Sequence, residues 1–253
     1  MTKLNKKVAF LLLLIFGMWG AQAQTKLLHL GDSHIRYGYT TAPIKALLTD
    51  FSVSYTGING ATFSTFTDPQ QIQNITKMQP EVLVVSLGTN DSYTWRFSES
   101  NFRQQLEDFT SAITQALPNV QLFFTTPPPS FLKQSKRIRN TGKKSKRKWR
   151  TTYSYLFNPN TAKAAAIILD FAKSNGYGVY DLYQQIGTEE EAQRWVSKGW
   201  MHQDHIHYTK EGYFKHGALT AEALRQFLDQ SSHPSLISSD MISEVKLYKK
   251  DTY

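Results

Sequence analysis

The sequence predicts a three-layer α/β/α domain built around a central parallel sheet. Short apolar runs, typical of strands buried on both faces, alternate along the chain with helical patterns, and this alternation indicates a parallel sheet covered by helices on both sides. The chain has 253 residues and 40% hydrophobic content, enough for one such domain and short for two. The strand candidates are 26–30 (KLLHL), 82–87 (VLVVSL), 120–125 (VQLFFT) and 178–182 (GVYDL).

Helical periodicity separates these strands. Apolar residues recur at spacings of three and four over 102–117 and again over 164–171, and the second pattern stops before Gly176. A final helix is expected over about 209–229. In open parallel sheets, ligands bind beyond the carboxyl ends of the strands. The loops that follow the first two strand candidates are therefore the expected site.

Residues 1–23 have the composition of a secretory signal peptide. Lysines precede the apolar run 8–19, and the small-residue segment 21–23 (AQA) follows it, so cleavage is expected after Ala23. The alternative is an uncleaved anchor, but a dozen apolar residues fall short of the ~20 needed to span a bilayer. We therefore expect a secreted or periplasmic protein with no integral membrane segment after cleavage. The absence of cysteine excludes disulfides and thiol nucleophiles.

The formal net charge of +9 is concentrated in one segment. Ten basic residues and no acidic residue lie between Lys133 and Arg150. This run is either a solvated loop or an arm that holds an anionic polymer near the site, and both interpretations stay open. No nucleic-acid fold accompanies it, so nucleic acid is not the expected partner. The predicted organisation is a domain over 24–230 with a basic insertion at 133–150, followed by a tail over 231–253.

Two loops carry the parts of a serine-based acyl-transfer site. Ser33 follows the first strand candidate, where a tight turn can expose its hydroxyl at the start of a helix. Asp204 and His207 lie three residues apart, just before the final helix. A serine hydroxyl becomes an effective nucleophile when a histidine takes its proton and a carboxylate orients that histidine.

Such a reaction also needs donors that stabilise the developing oxyanion. The candidates are the backbone N–H groups of Ser33 and Gly60 and the side-chain amide of Asn90. Gly57, in the same GINGAT segment as Gly60, is a competing choice. Each motif alone has a simpler explanation, because glycine, aspartate, asparagine and serine are the preferred turn residues.

Taken together and in order, these residues resemble the four blocks that define the SGNH/GDSL hydrolase superfamily, over most of the chain. The resemblance implies a flavodoxin-like fold with Ser33 as the nucleophile, His207 as the base and Asp204 as its orienting carboxylate. It also implies an oxyanion hole formed by Ser33, Gly60 and Asn90, with no cofactor and no metal. The Gly-x-Ser-x-Gly elbow of the unrelated α/β-hydrolases is absent at the serine.

Within this superfamily, the chain most resembles peptidoglycan O-acetylesterases, which remove acetyl groups from cell-wall sugars. The Gly-Asp-Ser-His start, the second block, a Thr-Pro-Pro turn and the export signal carry this likeness. The expected function is an exported serine esterase that hydrolyses small acyl esters on a carbohydrate or cell-wall polymer. The alternatives are a deacetylase of other polysaccharides, a general acylhydrolase or acetyltransferase, and a non-catalytic envelope-binding protein.

Other side chains near these motifs have more than one interpretation. His34 replaces the leucine of the commonest pattern and is either structural or a substrate contact. Trp95 follows the Asn90 loop and is a candidate for stacking on a sugar ring. The cluster of His202, His205 and His207 suggests a zinc site, but the last of these is better explained as the catalytic base.

Overall fold

The structure is a computed structural model that describes residues 24–140 and 148–232. The predicted signal peptide at 1–23 lies outside these residues, as do the tail from 233 onward and the segment 141–147 of the basic run. Within the described ranges, no helix combines the length and the apolar content needed to cross a membrane.

A five-stranded, entirely parallel sheet forms the centre of the fold, and a separate antiparallel hairpin projects from it. The strand order across the sheet is β2-β1-β3-β4-β7, while β5 and β6 form the hairpin. This is the flavodoxin-like order, so the predicted fold class is confirmed. The strands are β1 (Thr25–Gly31), β2 (Phe51–Gly57), β3 (Val82–Ser86), β4 (Gln121–Thr125), β5 (Phe131–Arg139), β6 (Trp149–Phe157) and β7 (Gly178–Tyr180).

Helices cover both faces of the sheet and complete the three layers. They are α1 (Thr41–Leu47), α2 (Pro69–Met78), α3 (Thr89–Ser92), α4 (Glu99–Ala116), α5 (Pro159–Ser174), α6 (Leu182–Ile186), α7 (Glu189–Ser197) and α8 (Lys210–Ser232), with a 3-10 turn at Phe63–Thr67. In β1, Leu28 and Leu30 belong to the core under α4 and α5, whereas Leu27 packs with α1 and α8 on the other face. Burial on both faces explains why β1 and β3 are continuous apolar runs in the sequence.

The three predicted helices are confirmed, and capping residues set where two of them begin. The Ser98 side chain accepts a hydrogen bond from the Asn101 N–H at the start of α4. At α5, Asn158 caps the helix and a proline occupies its first turn. The N–H that proline lacks would have no partner within the helix at this position, so no helical hydrogen bond is lost.

The sequence analysis missed strand β2 and the hairpin. Strand β2 is an edge strand that pairs only with β1, and its alternate serine and threonine residues break the apolar run. In the hairpin, the described parts of the basic run form paired strands rather than an irregular loop. Only Phe131 and Leu132 of β5 are buried, so most of the hairpin has no apolar pattern that could predict a strand.

Candidate active site

A compact turn at the carboxyl end of β1 holds Ser33. The buried Asp32 carboxylate accepts a hydrogen bond from the His34 N–H at 2.9 Å, and the Ile35 N–H donates to the Asp32 carbonyl at 3.1 Å. The sequence analysis placed Ser33 at the start of a helix, and that detail is wrong. Turns continue after Ser33, and α1 begins only at Thr41.

The loop that carries His207 is closed by backbone pairing at its ends. Met201 and Tyr208 form an antiparallel bridge, and the His202 N–H donates to the His207 carbonyl at 2.8 Å. His205, between them, has a left-handed backbone with φ of 59°. These bonds therefore hold the backbone of the loop, and with it the attachment points of its side chains, in place just before α8.

Asp204 is fixed within this loop through both carboxylate oxygens. Its Oδ1 accepts the backbone N–H groups of Ile206 at 3.0 Å and His207 at 2.9 Å. Its Oδ2 lies 2.8 Å from Nδ1 of His207. The carboxylate consequently orients the imidazole and favours the tautomer with the proton on Nδ1.

The structure brings the three residues of the predicted triad together. Nε2 of His207 lies 3.1 Å from Oγ of Ser33, a separation that allows direct proton transfer between them. A continuous chain of hydrogen bonds thus runs from the Ser33 hydroxyl through the His207 ring to the Asp204 carboxylate. Such a chain can deprotonate a serine hydroxyl as it attacks an ester carbonyl.

The electrostatic environment of the triad favours a protonated His207 beside an ionised Asp204. The hydrogen bond that the His207 ring donates to Asp204 raises the pKa of His207 above its ordinary value, although partial burial of the ring opposes this. Burial acts to raise the pKa of Asp204, but hydrogen bonds from the His207 ring and from two backbone N–H groups hold it well below its usual range. The aspartate therefore stays ionised and can stabilise an imidazolium at His207.

The raised pKa of His207 predicts the pH dependence of activity. His207 must be neutral to accept the serine proton, so kcat/KM for a small neutral acetyl ester should fall as the pH drops through this raised pKa. The half-maximal point should lie above about 6.5, the ordinary value for histidine. Initial rates between pH 5 and pH 9, corrected for spontaneous hydrolysis, measure it. An inflection below 6.5 would contradict the assignment of His207 as the base.

Gly57 and Gly60 are both candidates to supply the second oxyanion donor, and they differ in how tightly they are packed. A Cβ atom on Gly57 would lie 2.4 Å from the backbone nitrogen of Arg36 and 2.7 Å from the Asp32 carbonyl oxygen, so close packing explains that glycine. Gly60 has φ of 74° in a turn whose Cβ position is open. In the described part of the chain, neither the Gly60 N–H nor the Ser33 N–H donates to an acceptor.

Asn90 lies in the first turn of α3, and its amide links two loops of the site. Its Nδ2 donates to Oδ2 of Asp32 at 3.1 Å and to the Ala61 carbonyl at 3.0 Å. These bonds hold the amide between the Ser33 turn and the segment that contains Gly60. To donate to an oxyanion, Nδ2 must share or release one of them.

The replacement Asn90→Ala should lower kcat for a small acetyl ester by roughly 10²–10³, the usual size for the loss of one oxyanion donor. Because the variant also loses the bonds to Asp32 and Ala61, its melting temperature must be measured alongside. A kcat equal to that of the wild type in a fully folded variant would exclude Asn90 from the oxyanion hole.

An open cleft of about 910 Å³ surrounds the triad, within the range of volumes that small-molecule sites occupy. Its walls include Tyr37, Tyr39, Asn59 and Glu211, together with the three triad residues. The Tyr37 side chain is 63% exposed, and its ring lies 6.3 Å from that of Tyr39. This pair was not predicted, although the Tyr-Gly-Tyr segment begins only four residues after Ser33.

The remaining candidates lie in different places. His34 is buried behind the site, with its ring edge-on to His207 at 5.9 Å, and burial lowers its pKa. Trp95 is exposed and does not line the cleft, whereas His202 does. His205 packs away from the cleft lining, and within the described ranges no group of three or more His, Asp or Glu side chains could hold a metal ion.

Comparison with known proteins identifies the family. The profile of the GDSL-like lipase/acylhydrolase family matches residues 29–214. A search of curated protein sequences finds no significant relative. The match covers well over half of the chain and includes both the Ser33 turn and the loop that carries His207.

Solved structures share the fold at low identity. A GDSL-like lipase from Bacteroides thetaiotaomicron is 16% identical, with a TM-score of 0.55 over 82% of this chain and 89% of that one. The periplasmic domain of a lipopolysaccharide acetyltransferase from Salmonella ser. Paratyphi A is 13% identical, with a TM-score of 0.55 over 81% and 84%. A peptidoglycan O-acetylesterase is 16% identical, with a TM-score of 0.55 over 72% of this chain, which spans about half (48%) of that protein. From the family match and the shared fold, this chain belongs to the GDSL-like lipase/acylhydrolase family of serine ester hydrolases.

Proposed function

We propose that this protein is an exported esterase that removes small acyl groups, above all O-acetyl groups, from a carbohydrate polymer, with peptidoglycan as the preferred substrate. The observation that carries the proposal is the hydrogen-bonded chain from Ser33 through His207 to Asp204 at an open cleft. The signal-peptide composition of residues 1–23 supports export to the periplasm or the medium.

The proposed reaction proceeds through an acyl-enzyme. His207 Nε2 takes the proton of Ser33 while Oγ attacks the ester carbonyl carbon, and the N–H groups of Ser33 and Gly60 with the Asn90 amide stabilise the oxyanion. The imidazolium then gives its proton to the leaving sugar oxygen as the ester C–O bond breaks. Water attacks the acyl-serine with His207 again as the base, so the acid is released and Ser33 regains its proton.

The cleft favours a carbohydrate ester over a long-chain lipid. It is open, and its exposed Tyr37 ring, with Tyr39 beside it, offers flat surfaces for packing against a sugar. Polar groups on Asn59 and Glu211 lie in the same walls and can hydrogen-bond to sugar hydroxyls. The names of two structural neighbours, a peptidoglycan O-acetylesterase and a lipopolysaccharide acetyltransferase, agree with acetyl chemistry on glycans.

The deciding experiment measures acetate release by the mature chain, residues 24–253, from O-acetylated peptidoglycan and from other O-acetylated polysaccharides. Acetyl, butyryl and octanoyl p-nitrophenyl esters test the acyl length in parallel. We expect the fastest release from peptidoglycan and a preference for acetyl over octanoyl esters. A preference for octanoyl would favour a lipase, and acetylated product sugars would favour a transferase. Absence of turnover on every ester would favour a non-catalytic binding protein.

A further inference from the structure

The base of the β5–β6 hairpin contacts both the segment just after α3, the helix that carries Asn90, and the loop that carries His207. On one side, the Lys133 N–H donates to Oη of Tyr93, just after α3, at 3.2 Å. On the other side, the Phe131 N–H donates to the His205 carbonyl at 3.0 Å. The Tyr155 ring stacks on the His205 ring at 4.2 Å, nearly parallel. The hairpin is thus joined directly to the catalytic loop.

The strand register gives the hairpin two different faces. Residues that are paired across the strands share a face, and successive residues alternate between faces. One face is here called the aromatic face. Beyond its base, where Phe131 pairs with Phe157, it combines three cations with three further aromatic rings, and Ser135 and Thr151 lie among them: Lys133, Arg137, Arg139, Tyr155, Tyr153 and Trp149. The opposite face, here called the polar face, has Leu132 paired with Leu156 at its base. Beyond them it carries two cations, three neutral polar side chains and one isoleucine, with no aromatic ring: Lys136, Arg150, Gln134, Thr152, Ser154 and Ile138.

Apart from the half-buried Tyr155, the cations and rings that define the aromatic face are exposed, and two of the cations lie over two of its rings. Tyr153 is 58% and Trp149 49% exposed. The Lys133 ammonium lies 4.1 Å from the centre of the Tyr153 ring, and the Arg137 guanidinium lies 5.5 Å from that of Trp149. Over the residues that the structure describes, no carboxylate forms a salt bridge with the cations of this face. The cations remain available to an anionic ligand.

This combination of groups indicates the chemistry of the occupant. Exposed aromatic faces pack against the apolar faces of sugar rings, while arginine and lysine bind carboxylates. The rings at 149 and 153 are four residues apart, roughly 13 Å along a strand, so the ligand extends over several units. Because the face begins at the loop that carries His207, its occupant should be the polymer that bears the ester. A nucleic acid carries no such ester.

We propose that the aromatic face of the hairpin is a binding track for a carboxylate-bearing polysaccharide, which it leads to Ser33. This inference rests on the proposed function, because it takes the ester to lie on a carbohydrate. It assigns the cations of strands β5 and β6 by face: those beside the aromatic rings bind substrate, and those on the polar face contribute charge alone.

Two charge-matched variants test the track. Arg137→Gln with Arg139→Gln removes two charges from the aromatic face, and Lys136→Gln with Arg150→Gln removes two from the polar face. Each pair is made in the mature chain carrying Ser33→Ala, so that binding is measured without turnover. The probes are solubilised O-acetylated peptidoglycan, neutral O-acetylated xylan and single-stranded DNA.

The aromatic-face pair should weaken peptidoglycan binding about tenfold, as expected for two exposed ion pairs, while the polar-face pair changes it less than about twofold. Tyr153→Ser should also weaken it with no change in charge. Binding should weaken with salt as the Debye length falls from ~10 Å at 0.1 M to ~3 Å at 1 M. Equal effects of both charge pairs would overturn the track, as would tighter binding of DNA than of glycan.

A second readout separates this proposal from the proposed function. The same pairs are made in the active chain, and kcat/KM is compared on O-acetylated peptidoglycan and on p-nitrophenyl acetate. An equal fall on both substrates would mean that the hairpin shapes the cleft, and it would overturn the track. If the active chain hydrolyses neither substrate, the proposed function fails, while the binding comparison still tests the track.

Discussion

Replacing Ser33 with alanine should lower kcat for p-nitrophenyl acetate by ~10⁴ or more, because the nucleophile and its base act as one unit. His207→Ala should cause a loss of similar size, and the double variant should be little worse than either single one. This non-additivity follows because removing either partner already prevents attack through the serine oxygen. Stopped or continuous assays at saturating substrate measure kcat directly.

The fold should survive these changes. Within residues 24–140 and 148–232, the Ser33 side chain makes one hydrogen bond, to His207, whose net contribution to stability is about 1 kcal/mol. Melting temperatures near that of the wild type would therefore accompany the loss of activity. His202→Ala is a suitable control. This histidine of the same loop also lines the cleft, but in the part of the chain that the structure describes it forms no hydrogen bond with Ser33, so the variant should lose far less activity. Hydrolysis by Ser33→Ala at the wild-type rate would disprove the mechanism.

The strands that could be predicted from the sequence are those that helices bury on both faces. The residues of β1 and β3 are buried by helices on both faces, so their sequences are almost uninterrupted apolar runs. Strand β2 lies at the edge with half-exposed positions, and its mixed sequence has no such run. In the hairpin, cross-strand pairing rather than apolar periodicity holds the strands together, and that pairing depends on contacts distant in sequence.

For the site, motifs predict which residues participate but not how they are supported. The spacing of Asp204 and His207 suggests that one loop carries both, and the structure places them in contact with Ser33. Their catalytic roles stay predictions. The contact of His205 with the hairpin, by contrast, depends on a left-handed residue and on a stacked ring from another part of the chain. No local sequence signal reports such a contact.

Asp204→Asn should reduce kcat by ~10⁴, because it reverses the tautomer of His207. Asp204 Oδ1 accepts two backbone N–H groups, so the carbonyl oxygen of an asparagine must take that position. Its NH₂ group then faces Nδ1 of His207, which has to become an acceptor. The imidazole proton moves to Nε2, and that nitrogen can no longer take the proton of Ser33.

Asp204→Ala provides the matched comparison, since it removes the same charge without imposing a tautomer. The His207 and Asp204 side chains are 43% and 48% exposed, so water can replace the lost carboxylate. Asp204→Ala should therefore retain more activity than Asp204→Asn, although alanine is the larger change in shape. In both variants His207 loses the hydrogen bond to the carboxylate that raises its pKa. Because the pKa then falls, residual activity should extend to lower pH than in the wild type. Nitrogen NMR of the histidine rings reports the tautomer directly. If the proton of His207 is still on Nδ1 in Asp204→Asn, or if Asp204→Asn has a higher kcat than Asp204→Ala, then Asp204 acts through its charge alone.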